Sequence, residues 1–387
     1  MNLHRKLLIS SALTLVLLIT LLAGLKPKGY RFCNDVNWMQ NNNGINIGPI
    51  GIAYSRDSLE WTDQNSIESG ITVEMAVKAN RFQFNGISDI LSFWDGTSPE
   101  PFMVGQWQNH LIIRVRDSTW KQGYQELGVR SVLDRGKNIL IQITSAPLNT
   151  HVYINGILND NSLSACIVPK AGLKGRLILG NSATASDPWT GEIYGIALCR
   201  KEISSEEALQ RFHDWDSLGR TSLPPMAQAS HFFQFNEGRG AIAHDCIASG
   251  IDLQIPRLFH IIKKRILTGP WEDFKWDKAY LTDVIVNLFG FMPLGFFLSL
   301  FLSEIGAIYK WKKNIFVTIS ICFVISLCIE LIQVFIPTRS SQLSDLVLNT
   351  MGGALGGMLL KIFFGGKMAN CLNQDSQDSQ DGQDMSV

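Results

Sequence analysis

Between Asp283 and Gly357 the chain runs through three apolar stretches, and each carries polar residues that a lipid-facing helix would avoid. The first begins Asp283-Val-Ile-Val-Asn287-Leu-Phe-Gly290 and continues through Pro293 and Gly295. The second carries Glu330 and Gln333, with Arg339 just beyond it. The third begins Asp345-Leu-Val-Leu-Asn349-Thr-Met-Gly352, so Asp-x3-Asn-x2-Gly occurs twice. Residues four apart share a helix face, so each Asp–Asn pair points one way. Ionisable groups inside apolar spans are costly, and by default they mark a functional site. The spans implied are 284–302, 315–336 and 346–364.

Residues Asp283, Asn287, Pro293-Leu294-Gly295, Glu330, Gln333, Arg339, Asp345, Asn349 and Gly352 give this stretch a resemblance to the VanZ-like family. The resemblance covers residues 28–371, or 256–366 with an inserted domain set aside. It implies a small multi-pass bacterial membrane protein and leaves the biochemical activity open.

Residues 1–25 suit a further span, a transmembrane anchor helix. His4-Arg5-Lys6 precedes an apolar run, Leu7–Leu25, that rises about 28 Å as a helix, close to a bilayer core. A cleaved signal peptide is the alternative, but its apolar region is usually shorter, and Ala23-Gly24-Leu25-Lys26-Pro27 makes a poor cleavage site. Positive residues favour the cytoplasmic side. His4-Arg5-Lys6, Lys310, Lys312, Lys313, Lys361 and Lys367 therefore predict four spans in the cytoplasmic membrane, both termini inside and residues 26–283 extracytoplasmic. Lys263, Lys264 and Arg265 run against that pattern, but long translocated segments obey it weakly. On this topology Asp283, Asn287, Glu330, Gln333, Arg339, Asp345 and Asn349 reach one layer near the outer leaflet. They are the candidate binding cluster. The small residues Gly352, Gly353, Gly356 and Gly357 let helices approach closely, and Pro293 predicts a kink below the cluster. A purely structural role for the cluster, with Arg339 neutralising Glu330, remains open at this point.

Residues 30–255 read as an all-β domain. Ile71–Val77 and Leu111–Arg116 alternate apolar and polar, and Asn155-Gly156 suits a type I′ hairpin turn. Ser204-Ser-Glu-Glu207 is a capping box that opens a helix over 206–215. Short strands with frequent turn residues predict a β-sandwich. Val152-Tyr153-Ile154-Asn155-Gly156, Leu179-Gly180, Trp189-Thr-Gly191-Glu-Ile193 and the helix from Ser204 give it a resemblance to the laminin-G-like, concanavalin A-like lectin/glucanase superfamily. Phe233-Gln-Phe235-Asn-Glu237-Gly238-Arg-Gly240 with Asp245 resembles the segment that opens such domains, yet here it comes last. The expected architecture is therefore a circularly permuted jelly-roll sandwich inserted after the first span of an α-helical four-span bundle. The resemblance implies a glycan or an envelope protein as ligand. Glycosidases on sandwich folds need paired carboxylates. The strand at 71–77 offers only Glu74, expected as a solvated charge. Trp94, Trp107 and Trp120 are candidates for sugar stacking, and Trp189 is expected to be structural.

Residues 256–282 mix aliphatic, basic and aromatic side chains. They are expected as an amphipathic interfacial connector or as a helix packed on the sandwich. The three-span unit then occupies 283–366, and an acidic, repetitive tail at 367–387 is expected to be disordered and cytoplasmic. Cys33, Cys166, Cys199 and Cys246 fall outside the cytoplasm on this topology, where disulfides persist, and three pairings are open. No cofactor is expected, and a structural calcium in the sandwich stays open. Lysines plus arginines equal the acidic residues, 34 each, so nothing global indicates nucleic acid. Membrane lipid is the expected partner beside the glycan or envelope protein. The expected role is a non-catalytic envelope protein. A membrane-embedded enzyme acting on a lipid-linked substrate, with Glu330 or an Asp as acid or base, and a transporter are the competing readings.

Overall fold

The computed structural model describes residues 3–26, 33–40, 42–61, 70–81, 83–146, 149–159, 173–226, 228–247, 251–269, 278–305, 311–336, 339, 341–360 and 362. The chain forms two compact units, Tyr30–Lys263 and the pair Met1–Gly29 with Lys264–Val387. Cys166, Cys371 and the tail 367–387 lie outside the described residues.

The first unit is a β-sandwich. One sheet runs β1 (Val36–Trp38), β2 (Ile45–Ile47), β14 (Gly191–Cys199), β5 (Ile71–Ala79), β10 (Asn138–Ser145), β11 (Thr150–Ile154) and β12 (Ile157–Leu158). Strand β15 (Ala229–Phe233) also pairs with β14. The other sheet runs β16 (Ile242–Ala243), β17 (Leu253–Gln254), β3 (Ala53–Ser55), β13 (Lys174–Leu179), β6 (Gln83–Trp94), β7 (Phe102–Gln108), β8 (His110–Arg116) and β9 (Tyr124–Val129). Strand β4 (Leu59–Glu60) pairs with β13. Period-two alternation sends Val73, Met75, Val77, Ile141 and Ile143 inward from the first sheet, against Phe93, Phe102, Val104 and Ile113 from the second. Trp189 is fully buried there, and its indole Nε1 donates to Gln106 Oε1 at 2.7 Å. The Asn155-Gly156 turn has positive φ at both residues, 52° and 76°, as a type I′ hairpin requires.

Helix α2 (Ser205–Ser217) opens on the capping box, with Ser204 Oγ accepting from Glu207 N and the Glu207 carboxylate from Ser204 N. It corrects one expectation. Ala208 and Trp215 pack on the outer face of the first sheet with Ala76, Leu140 and Tyr153, so that face is not solvated. Glu74 is consequently fully buried. Arg211 donates to it through Nε at 2.7 Å, and Gln142 Nε2 donates at 2.9 Å. A charge removed from water must be paired and hydrogen-bonded, and the helix supplies the partner. Burial pushes the nearby Cys199 thiol up to about 12. Cys33, Cys199 and Cys246 are free thiols, and so form no disulfide among themselves.

The late segment enters both sheets: β15 joins β14, while β17 pairs with β3 and carries β16. The following residues add to the same unit without forming a helix over 256–263. Phe259 and Ile262 pack on Ile52, Tyr54, Trp94 and Ile178, and Lys263 N donates to Ala183 O at 2.8 Å. From Lys264 the chain belongs to the other unit, where Thr268 N donates to Ser341 O at 2.9 Å.

That second unit is helical: α1 (Leu3–Leu25), α3 (Lys278–Gly290), α4 (Met292–Glu304), α5 (Trp311–Gln333) and α6 (Leu343–Leu360). Among the described residues four helical stretches are long and apolar enough to cross a membrane: His4–Leu25, Tyr280–Glu304, Trp311–Gln333 and Leu343–Leu360. The second of these breaks at Phe291, where α3 stops and α4 starts with Pro293 in its first turn. Proline has no N–H to donate back to the preceding turn, so the helix breaks there at one residue, Phe291, which keeps a helical backbone. Glycines bring α6 against this broken helix. A methyl group at Gly352 would collide with the carbonyl oxygen of Leu288, and one at Gly356 with that of Met292. Gly295 faces Gly353 O in the same way. Without a hydrophobic force between helices in lipid, such backbone approach supplies the packing.

Gly356→Val is expected to cost about 1–3 kcal/mol through overpacking. Gly290→Ala meets nothing within 4 Å, so it should leave the melting temperature in detergent unchanged. Equal melting temperatures for both variants would rule out the close approach. In the sandwich, a chain spanning 30–220 lacks β15, β16 and β17 and opens an edge in each sheet. It should aggregate during size-exclusion chromatography, whereas 30–263 should elute as a folded monomer.

Candidate functional site: a polar cavity among the helices

The helical unit holds a partly open cavity of about 470 Å³. All seven residues of the candidate cluster line it: Asp283 and Asn287 from α3, Glu330 and Gln333 from α5, Asp345 and Asn349 from α6, and Arg339 from the α5–α6 connection. Helix geometry explains the gathering. Each pair is three or four residues apart and so faces one way. The α5 pair sits in the last turn of its helix, and Asp345 sits in the first turn of α6.

The polar groups are held by bonds to backbone as much as to one another. Gln333 Nε2 donates to Gly24 O at 2.8 Å. Arg339 Nε donates to Lys26 O at 3.2 Å and its Nη2 to Ala23 O at 3.1 Å. These are carbonyls at the end of α1, which have no partner within their own helix. Glu330 is buried, and its Oε2 accepts from Gln342 N at 2.8 Å, which pins the connection beneath the cavity. The alternative in which Arg339 neutralises Glu330 has no direct bond behind it. Among the described residues no ion pair joins them, because the guanidinium is turned to the end of α1. Asn287 hydrogen-bonds the Asp345 carboxylate. Asn349 Nδ2 donates to Ser326 Oγ at 3.0 Å, while its buried Oδ1 has no partner among the described residues.

The rest of the wall was not foreseen from the sequence. Helix α1 contributes Ile19, Thr20, Ala23 and Gly24, and the connection contributes Gln342. Ala23 and Gly24 are small residues at the end of an anchor, and that is the one signal a reader had. Val286, Phe291 and Ile329 give the cavity an apolar side. A second polar knot, in which Ser299 Oγ donates to Asn314 Oδ1 at 2.7 Å and Asn314 Nδ2 to Ser303 Oγ at 2.8 Å, bonds α4 to α5 away from the cavity.

In the sandwich, Glu74 is committed to Arg211 and Gln142 and is unavailable for acid–base work. Trp94 is buried with Lys263 Nζ 4.7 Å from its ring centroid, whereas Trp107 and Trp120 are 41% and 55% exposed. Among the described residues no group of three or more His, Cys, Asp or Glu side chains can hold a metal ion.

The model of the VanZ/LLP1 family matches residues 229–364, beginning at β15 of the sandwich and running through α3 to α6. No curated protein matches the chain. Solved structures similar to it include the receptor binding domain of botulinum neurotoxin mosaic serotype C/D, at 14% identity, 47% of this chain, 44% of that one and a TM-score of 0.38. The binding domain of botulinum neurotoxin DC in complex with rat synaptotagmin II gives 12%, 48%, 46% and 0.35. The chain thus spans less than half the length of the structures it matches. The protein carries a VanZ-like region together with a β-sandwich and four membrane-competent helices.

Proposed function

We propose that this is a non-catalytic membrane protein of the bacterial cell envelope, whose helices hold the headgroup of a lipid-linked or amphiphilic ligand in an outward-facing polar pocket. The observation that carries this reading is the cavity of about 470 Å³, within the usual size of a small-ligand site, lined by three carboxylates, two amides of the Asp–Asn pairs, Gln333 and Arg339. The apolar side of the cavity suits a chain, and the polar side suits a head.

The sandwich on this reading lies outside the cytoplasm and binds a glycan or an envelope protein, with Trp107 and Trp120 as exposed aromatic platforms. It is a laminin-G-like, concanavalin A-like domain in permuted order. Support comes from the late strands β15, β16 and β17, which complete the two sheets built by earlier strands. Both termini lie in the cytoplasm, as the lysine distribution favours.

Isosteric variants separate pocket from glue. Glu330→Gln and Asp345→Asn should keep the melting temperature in detergent within about 3 °C of wild type. Each should lose most of the lipid that wild-type protein retains on purification, measured by mass spectrometry of the extracted chain. Melting temperature falling in step with retained lipid would make the cluster structural. For orientation, alkaline phosphatase inserted after Asn159 should be active and fused after Val387 inactive. The reverse pattern would overturn the topology.

A further inference from the structure

The walls of the cavity are unequal in charge and in hydrogen-bonding capacity, and both inequalities point to the same headgroup. Its ionisable side chains are Asp283, Glu330, Asp345 and Arg339, three acids against one base. The base points part of its fork away from the cavity, since Arg339 donates two of its five N–H groups to Lys26 O and Ala23 O. Gln333 Nε2 gives one of its two hydrogens to Gly24 O. On the acceptor side Asn349 stands open. The residue is only 5% exposed, its Nδ2 is bonded to Ser326 Oγ, and its Oδ1 has no partner among the described residues. A buried carbonyl oxygen without a donor costs free energy that a bound donor would recover.

From this arrangement we infer that the cavity takes a primary ammonium group carried by an amphiphile. The inference rests on the reading of the cavity as a headgroup pocket and adds the sign and hydrogen-bonding character of the head. An ammonium brings one positive charge and three donors, which match the acidic surplus and the open Asn349 Oδ1. A phosphate brought to the same place would meet three carboxylates and an amide oxygen, with its natural partner Arg339 turned to α1. The alkyl part lies along Ile19, Val286 and Ile329, where Ile19 and Val286 stand exposed at the rim.

The full chain in phosphatidylcholine nanodiscs tests this by calorimetric titration with three probes that share one chain: dodecylamine, dodecanol and dodecyl phosphate. Ethanolamine serves as the chainless amine. Val286→Trp fills the cavity from its exposed rim and reports partition of each probe into the nanodisc alone. Above that baseline, dodecylamine should bind at least about tenfold more tightly than either other probe. Asp345→Asn and Asn349→Leu should each remove most of that preference. The comparison of probes on wild type stands even if a variant fails to fold. Dodecyl phosphate binding as tightly as dodecylamine would overturn the ammonium inference and leave the pocket reading standing. Binding of every probe equal in wild type and Val286→Trp would overturn both. Ethanolamine weaker than dodecylamine by about tenfold or more assigns the ammonium to a membrane amphiphile. Ethanolamine equal to it keeps the ammonium site and overturns the amphiphile.

Discussion

A polar group removed from water has to find a partner, and each unit of this protein is arranged around that requirement. In the sandwich the requirement falls on Glu74. Its strand would present the carboxylate to solvent were α2 not laid across the sheet, and Arg211 on that helix meets it together with Gln142. The pair locates the helix as well as neutralising the charge, since Arg211 also donates through Nη2 to Pro224 O at 2.9 Å, on the segment leading to β15. One buried ion pair thus ties the outer face of a sheet to the chain that supplies its last strand.

Among the helices the same requirement is met differently. Arg339 and Gln333 turn to the carbonyls at the end of α1, and Glu330 turns to the backbone of Gln342. Backbone groups that have no partner inside their own helix are the natural resource where water is scarce. Using them leaves Arg339 and Gln333 with further N–H groups to offer, in the wall of a partly open cavity. The broken helix at Phe291 and the glycines of α6 hold the wall of that cavity at backbone distance.

Much of this was legible beforehand because the relevant signals are local. Apolar run length marks a span, and Asn155-Gly156 marks a hairpin through the positive φ that its turn demands. Ser204 and Glu207 mark a helix start through the unpaired N–H groups of its first turn. The Asp–Asn spacing marks a helix face. Glu74 misled for the same reason. Alternation along a strand tells which face a side chain occupies, but says nothing about whether a helix from 130 residues later will cover that face.

By itself, then, the sequence determined the helical spans, several of the sandwich strands and the seven polar residues that line the cavity, all of which follow from the periodicity and turn chemistry of short segments. Tertiary structure alone decided who pairs with whom. Arg339 goes to α1 and not to Glu330, Glu74 goes to Arg211, and Asn349 keeps an oxygen unpaired among the described residues, in the lining of a partly open cavity to which α1 adds a wall. Hydrogen-bond partners and cavities depend on how elements distant in the chain approach one another, and no local pattern encodes that approach.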